Sequence, residues 1–255
     1  MKLKHFIFHP KTQRIINFII YIVFVIFSAN LILNAQDVKV KLLYLTITLI
    51  MLSVAIFAEY LKYQYHLAIK ALNMECDPEK AVTIFDRLQK KDIFHAYKNN
   101  RILFDLLYYV ATFDSERILK HLETYDKQFR SSIDMLFIRN VSTFQAHVYA
   151  NNKTQAKKWY PEIVKLKDAK VKGHKIVPIY HYTELEALFY YMSNDFQKAL
   201  KNYKLVNTAY MNNKELTQFY LYQYKTMLQI DPKQAEGIKK DLYEVCNKLP
   251  VEKLL

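Results

Sequence analysis

The feature that most limits what this chain can fold into is a long apolar stretch near its start. Residues 15–33 read IINFIIYIVFVIFSANLIL, and no Asp, Glu, Lys, Arg or His lies between Arg14 and Asp37. In an α-helix these 19 residues extend about 28 Å, close to the roughly 30 Å hydrocarbon core of a bilayer. The stretch therefore predicts a membrane-spanning helix.

A second apolar run predicts a second span directly after the first. Residues 42–58, LLYLTITLIMLSVAIFA, follow a polar link at 34–41, and two spans joined so closely form a membrane hairpin. A cleaved signal peptide is the alternative for the first run. It is disfavoured because the apolar region is long, no small-x-small cleavage pair follows it and the second run comes at once. Residues 1–59 are thus predicted to form a membrane anchor.

Basic residues beside the spans indicate the orientation of this anchor. Four of them precede the first span, whereas the link between the spans carries two lysines beside Asp37. Lysine and arginine near a span favour the cytoplasmic face, so both termini are predicted to be cytoplasmic. The sequons Asn140-Val-Ser and Asn152-Lys-Thr would matter only in the opposite orientation. The bias towards Lys, Asn, Tyr and Ile suggests a bacterial inner or cell membrane.

Composition favours a helical fold and a reducing compartment. The chain has two glycines in 255 residues, and an all-α fold is expected. Its two cysteines, Cys76 and Cys246, lie 170 positions apart without CxxC or Cys/His ligand spacing. We therefore interpret both as small packing residues rather than as a disulfide, a metal site or a nucleophile.

One spacing recurs along residues 60–255. An Asp or Asn is followed four positions later by a small or aliphatic residue and, in most copies, eight positions later by a bulky one. The Asp and Asn residues are Asp77, Asp114, Asn152, Asp195 and Asp231, at intervals of 37, 38, 43 and 36 residues. The later positions hold Ala81, Ile118, Ala156, Ala199 and Ala235, then Phe85, Leu122, Tyr160, Tyr203 and Lys239. Because Asp and Asn side chains accept hydrogen bonds from the free amides of a first helical turn, each predicts a helix start.

The stretches between these starts predict partner helices. They cover residues 60–73, 95–111, 132–149, 178–192 and 213–229. Intervals of this length are typical of two-helix repeats, in which one hairpin cannot bury its apolar face alone but stacked neighbours share a core. The sequence thus predicts five helical hairpins, in which each small residue lets the paired helix approach.

This pattern resembles the tetratricopeptide repeat (TPR) family. The strongest match is LEALFYYMSNDFQKALKNYKLV, residues 185–206, on Ala187, Tyr190, Asp195, Ala199 and Tyr203. A second match is CDPEKAVTIF at 76–85, and the likeness covers roughly residues 60–250. The resemblance implies a right-handed α-solenoid of about five TPR-like hairpins, whose concave face, lined mainly by first helices, binds a protein or peptide.

The sequence carries no recognisable catalytic motif. Glycine-rich phosphate loops, HExxH and GxSxG are absent, so the chain is predicted not to be an enzyme and to use no cofactor, metal or small-molecule substrate. His181 and Glu184 could share a helix face, but a metal site needs further ligands, and a satisfied pair is the simpler interpretation. With 37 Lys and Arg against 24 Asp and Glu the chain is basic, yet no nucleic-acid motif accompanies the charge.

Two surfaces are candidates for binding. Rings are dense on the predicted first helices, and although core packing absorbs many of them, adjacent rings cannot all face inward. We predict that a partner is bound by Tyr182, Glu186, Phe189, Tyr220 and Tyr224. The lysine-rich run at 157–175 is either a solvated surface or a contact for anionic lipid or an acidic partner. Its lysines are Lys157, Lys158, Lys165, Lys167, Lys170, Lys172 and Lys175.

These features together favour a membrane-anchored adaptor or scaffold that holds a protein or peptide partner at the cytoplasmic face. The alternative is a subunit of an envelope, secretion or transport assembly whose spans make the main contact. Polar residues available to such spans are Asn17, Ser28, Asn30, Thr46, Thr48 and Ser53. An enzyme with an unrecognised site is a third alternative.

Overall fold

A computed structural model describes residues 10–167, 169–171, 174–175, 180–245 and 248–255 of the chain. The fold is all-α, as predicted, apart from a ladder of two residues per strand in which β1 (Lys170–Val171) pairs antiparallel with β2 (His174–Lys175). The chain divides into two compact units, one ending at Tyr63 and the other running from Gln64 to Leu255.

The first unit holds helix α1 (Pro10–Asn34) and the start of helix α2 (Val38–Asn73). Within the described part of the chain, α2 is the helix long and apolar enough to cross a membrane, with a mean hydropathy of 2.2 in its most apolar window. The predicted second span lies inside it. The apolar segment of α1, Ile19–Asn34, is shorter, so a first span stays a prediction.

The second unit contains ten further helices among its described residues. They are α3 (Pro78–Lys91), α4 (Lys98–Ala111), α5 (Ser115–Thr124), α6 (Asp126–Phe129), α7 (Ile133–Tyr149), α8 (Lys153–Val164), α9 (Tyr182–Met192), α10 (Phe196–Leu205), α11 (Asn213–Leu228) and α12 (Pro232–Val245). Short 3₁₀ turns cover Thr208–Tyr210 and Val251–Lys253. The predicted partner helices correspond to the end of α2 and to α4, α7, α9 and α11.

All five predicted helix starts are confirmed by their hydrogen bonds. Each side-chain oxygen accepts from the backbone N–H three residues on, which satisfies an amide that has no partner within the helix. The donors are Lys80, Arg117, Gln155, Lys198 and Gln234, at N···O distances of 3.0, 3.0, 3.2, 3.3 and 3.2 Å.

Four of the five starts also share one turn conformation. The preceding residue has left-handed backbone angles, with φ values of 51°, 56°, 51° and 60° at Cys76, Phe113, Asn151 and Asn194. The next N–H then reaches back to a carbonyl of the previous helix, as from Asp195 to Tyr190, at 3.0 Å. Ahead of the fifth start, Ile230 lacks this conformation. The left-handed turn therefore connects helices four times, and the first copy is one residue longer, because the N–H of Asp77 bonds to Ala71, six residues back.

The recurring positions pack as their spacing predicts. The five residues four positions after each start are all fully buried, and among those eight positions on Phe85, Leu122 and Tyr203 are buried, while Tyr160 and Lys239 are partly buried. A small residue at the first position lets a neighbouring helix approach closely, and a ring one turn later fills the space beside it. Most of these residues belong to one continuous core, and a smaller cluster holds Leu200, Tyr224, Met227 and Ala235.

Several bonds join parts of this second unit that are distant in sequence. Asn213 Nδ2 donates to the carbonyl oxygen of Met74 at 2.6 Å, and Lys248 Nζ pairs with Asp77 Oδ2 at 2.8 Å. Gln218 Nε2 donates to the carbonyl oxygen of Val110 at 3.3 Å. In an open array each repeat contacts only its neighbours. Here α11 and the residues after α12 also contact the turn between α2 and α3 and the end of α4.

Candidate functional site

Two carboxyl groups and three tyrosines from separate helices interact within the second unit. Glu184 lies in the first turn of α9 and interacts electrostatically with Glu215, in the first turn of α11. The rings are those of Tyr149 at the end of α7, Tyr180 just before α9 and Tyr203 in α10, and each interacts electrostatically with Glu184. We call these five residues the Glu184 cluster.

The electrostatics of the Glu184 cluster are dominated by loss of water. Burial, with a smaller contribution from Glu215, raises the pKa of Glu184 from its ordinary value of 4.5 to about 8. Burial likewise raises the pKa of Tyr180 to about 12. Glu184 as a whole residue is partly exposed. Within the described ranges no Lys, Arg or His forms an ion pair with it.

Glu215 is fixed in place by the start of its own helix. Its Oε2 accepts from the N–H of Asn212 at 3.0 Å, and Asn212 Oδ1 accepts from the N–H of Glu215 at 3.1 Å, which is a capping box. The neighbouring Lys214 is buried, and burial lowers its pKa; its ammonium interacts with Glu215 and with the thiol of Cys76. Within the described ranges Lys214 therefore interacts with Glu215, and it makes no recorded contribution to the pKa of Glu184.

Two buried polar atoms on the helices of this cluster have no hydrogen-bond partner among the described residues. They are the hydroxyl of Tyr203, whose ring lies against Phe219 with centroids 5.4 Å apart, and Oε1 of Gln145, one turn before Tyr149. A buried polar atom without a partner costs about 1–3 kcal/mol. Because both atoms are enclosed by protein, bound internal water would recover part of that cost.

The structure brings together only some of the five residues predicted to bind a partner. Tyr182, Phe189 and Tyr220 pack partly buried against the main core, and Phe189 stacks on Tyr160 with ring centroids 4.4 Å apart. Glu186 lies beside the same tyrosine, whose pKa burial raises to about 12. Tyr224 is buried in the smaller cluster, with Lys239 Nζ 5.9 Å from its ring centroid, so it lies apart from the others.

Four of the predicted surface lysines, Lys157, Lys158, Lys165 and Lys167, are exposed. Lys165 pairs with Glu162 at 2.5 Å, and Lys167 Nζ lies 5.4 Å from the ring centroid of Tyr182. The backbones of Lys170 and Lys175 are partners in the β1–β2 ladder. Lys172 lies outside the described residues, as does Cys246.

The geometry at His181 does not bring a metal site together. His181 immediately precedes α9, and its carbonyl accepts from the N–H of Glu184 at 3.0 Å. No cluster of three or more His, Cys, Asp or Glu suited to a metal occurs in the part of the chain that the structure describes. Sequence reasoning considered Glu184 only as a partner of this histidine. Its place beside Glu215 depends on a contact 31 residues away, which no local pattern signals.

Comparison with known proteins yields no relative. No protein-family model, no curated protein and no solved structure matches this chain. A functional assignment therefore depends on the chemistry of the described residues.

Proposed function

We propose that the chain is a membrane-anchored, TPR-like adaptor that holds a protein or peptide partner at the cytoplasmic face of the membrane. The recurring caps, the buried residues four positions after them and the repeated turn all support a hairpin array. The apolar helix α2 supports the anchor. In this proposal α1 supplies a second span, residues 1–59 form the anchor, and both termini lie in the cytoplasm of a bacterial cell.

The observation that carries the binding role is the Glu184 carboxyl itself. It is removed from most water, it lies beside a second carboxyl, and no cation among the described residues neutralises it. In the free chain this carboxyl holds its proton at neutral pH, because its pKa is raised to about 8. A lysine or arginine side chain, or the amino terminus of a peptide, would favour the ionised form and pair with it, and low water access strengthens such a contact. The proposed partner is thus a segment with a cationic group, recognised through Glu184.

Aromatic residues supply the remaining contacts in this proposal. Partial exposure is kept on α9 by Tyr182, Glu186 and Phe189 and on α11 by Tyr220. Amphipathic rings are effective anchors for a partner. Tyr224 contributes less, because most of its surface is already buried. The exposed lysines of α8 and the following turn are proposed to contact anionic lipid or an acidic partner.

The decisive experiment is crosslinking in intact cells followed by mass spectrometry, with a matched pair of variants. Glu184→Gln keeps the shape of the side chain but cannot ionise, whereas Glu236→Gln makes the same change at an exposed position on α12. We expect the partner to be lost with the first variant and kept with the second. Because the amide is neutral, like the protonated carboxyl that it replaces, Glu184→Gln should not unfold the protein. Equal crosslinking by both variants would remove Glu184 from the binding site.

The alternative is a membrane-assembly subunit that acts through its spans. The hydroxyls of Thr46, Thr48 and Ser53 each donate to the carbonyl four residues earlier at 2.8 Å, so their donors are used within α2. Exchange of the spans distinguishes this alternative from the adaptor. Replacing the apolar helices by an unrelated anchor should leave an adaptor with its partner. A chain that loses its partner on this exchange, and keeps it when residues 75–255 are removed, would be a membrane subunit.

A further inference from the structure

The turn between α3 and α4 displays two large apolar side chains to solvent. Ile93 is 70% and Phe94 is 64% exposed, and they are adjacent in sequence. In the rest of Gln64–Leu255 most aliphatic and phenylalanine side chains are buried or partly buried. An isolated exposed apolar residue is common on proteins, whereas two adjacent large ones at the tip of a turn mark a contact surface. We call residues 92–98 the Phe94 turn.

The turn is held in this conformation by a buried carboxylate. Asp92 is 4% exposed, and its two oxygens accept from the N–H groups of Ala96 at 3.1 Å and Tyr97 at 2.7 Å. The N–H of His95, which has a left-handed φ of 54°, donates to the carbonyl of Asp92 at 3.1 Å. These bonds fix the backbone, so the two apolar side chains are presented outward in a preformed arrangement that costs little ordering on binding.

The accessible charge around the turn is positive. Lys90 and Lys91 end α3, Lys98 begins α4, and all three are exposed, as is His95. The one acid of the turn, Asp92, is buried. An apolar tip surrounded by lysines is complementary to a surface with anionic headgroups above an apolar layer.

We infer that the Phe94 turn is a lipid-contact site that inserts Ile93 and Phe94 into the interface of an anionic bilayer. A stable protein interface buries roughly 800 Å² on each partner, far more than two side chains supply, whereas interfacial insertion needs only a small apolar tip with basic residues around it. The inference extends the proposed membrane anchoring, because a chain held at a membrane meets lipid at high local concentration.

Fluorescence quenching tests this contact in the full-length protein. The chain has one tryptophan, Trp159, over which Arg139 lies at 5.5 Å, and Trp159→Phe retains an aromatic ring there. In that background Phe94→Trp places the sole tryptophan at the tip of the turn. The protein is reconstituted in phosphatidylcholine vesicles, with or without phosphatidylglycerol, whose acyl chains are brominated or plain.

In vesicles that contain phosphatidylglycerol, we expect brominated acyl chains to quench much of the tryptophan fluorescence of the Phe94→Trp variant. In vesicles of phosphatidylcholine alone, we expect less quenching. Tyr210→Trp in the same background is the matched control, since Tyr210 is 84% exposed and aromatic but lies elsewhere in the second unit. It should retain its emission in every vesicle. Combined Lys90→Gln and Lys91→Gln should reduce the quenching of Phe94→Trp.

A third variant tests membrane insertion of α2 independently of the lipid contact at the Phe94 turn. Ile50→Trp lies in the apolar part of α2 and should be quenched if that helix spans the bilayer. Quenching of Ile50→Trp without quenching of Phe94→Trp would leave the anchor intact and overturn the lipid contact. So would a photoreactive group at position 93 that crosslinks to a protein rather than to lipid. Quenching of both variants supports the contact.

Discussion

Two regions of this molecule use the same kinds of side chain in opposite ways. Phe27, in α1, is 59% exposed, whereas Phe85, in α3, is fully buried and stacks on Phe104 with ring centroids 4.4 Å apart. Exposed Ile, Leu, Val and Phe side chains run along α1 and the first part of α2, while Gln64–Leu255 encloses its own core. In water the first arrangement would be costly. In the proposed anchor lipid surrounds the first region, whereas the second region encloses its apolar side chains within itself.

The polar groups of the two regions do not share this difference. The hydroxyl of Ser53 in α2 donates to a carbonyl of its own helix, and that of Thr226 in the second unit does the same. Asp37 accepts from the N–H of Lys39 at the start of α2, as Asp195 accepts from that of Lys198. The two regions therefore differ in where their apolar side chains lie rather than in how their polar groups are satisfied.

The largest expected effect on stability comes from removing one aromatic ring, and the matched pair removes one ring from each region. Phe85→Ala should lower the free energy of unfolding of the second unit by about 3–5 kcal/mol, because it removes a fully buried ring and leaves a cavity. Phe27→Ala should leave that unfolding unchanged. Thermal unfolding of the full chain in detergent, followed by near-ultraviolet circular dichroism, measures both. Similar losses of unfolding free energy in the two variants would show that the two regions bury their rings alike.

A charge in the apolar part of α2 should have the next largest effect. Ile50→Lys is expected to make insertion of this helix less favourable by about 2.5–3.5 kcal/mol, the usual cost of lysine at the centre of a span. The same change at Tyr63, beyond the apolar run 42–58, should cost much less, because a lysine near the end of a span extends its ammonium to the interface. Glycosylation mapping of α2 inserted in a host membrane protein reports the inserted fraction. Equal insertion of the two variants would argue against a span.

The helix starts and the buried small residues could be predicted from the sequence, because both depend on local geometry. An Asp followed four residues later by Ala needs only one helical turn to define its role, and the structure confirms this at Asp77, Asp195 and Asp231. The end of each partner helix was also predicted to within a few residues, since a polar break follows it. The all-α class follows from the same local signals.

Contacts between distant parts of the chain could not be predicted in this way. The bond from Asn213 to Met74 joins residues 139 positions apart, and nothing in either local sequence signals the other. The burial of Glu184 depends similarly on α9 and α11 meeting. Tyr224 was predicted to face a partner because helical periodicity alone cannot say which ring the neighbouring helix α12 covers. Such facts come from tertiary packing.

The pH dependence of stability gives a smaller effect that tests the burial of Glu184. The unfolded chain releases this proton near pH 4.5, but the folded chain holds it to about pH 8. The folded state therefore binds more protons between these values, and the free energy of unfolding should fall as pH rises through this window. Above pH 8 this group should cause no further change.

The matched variant for this pH prediction is Glu184→Gln, which cannot release the proton. Thermal midpoints of wild type and variant are compared at the two ends of the window. The wild-type midpoint should decrease more than that of Glu184→Gln as pH rises, and the comparison cancels groups common to both proteins. Parallel curves would show that the Glu184 carboxyl is well hydrated.

The smallest expected effect is the loss of one helix cap. Asp195→Ala should lower the free energy of unfolding by about 1 kcal/mol, because the N–H of Lys198 loses its acceptor. Asp241→Ala, at an exposed position within α12, removes the same charge without removing a cap and should change stability by less than half as much. Urea unfolding of the full chain measures both, and a larger loss at Asp241 would contradict the cap.

The ion pair between Lys248 and Asp77 has a consequence for how the protein is made. These residues are 171 positions apart, and a ribosome adds about 5–20 residues each second, so Asp77 emerges roughly ten to thirty seconds before Lys248 is synthesised. The turn between α2 and α3 lacks Asn213 for most of that time and this lysine for all of it. The nascent chain must keep its earliest hairpin soluble and available until the last one arrives, a period in which chaperones and the insertion machinery have access to it.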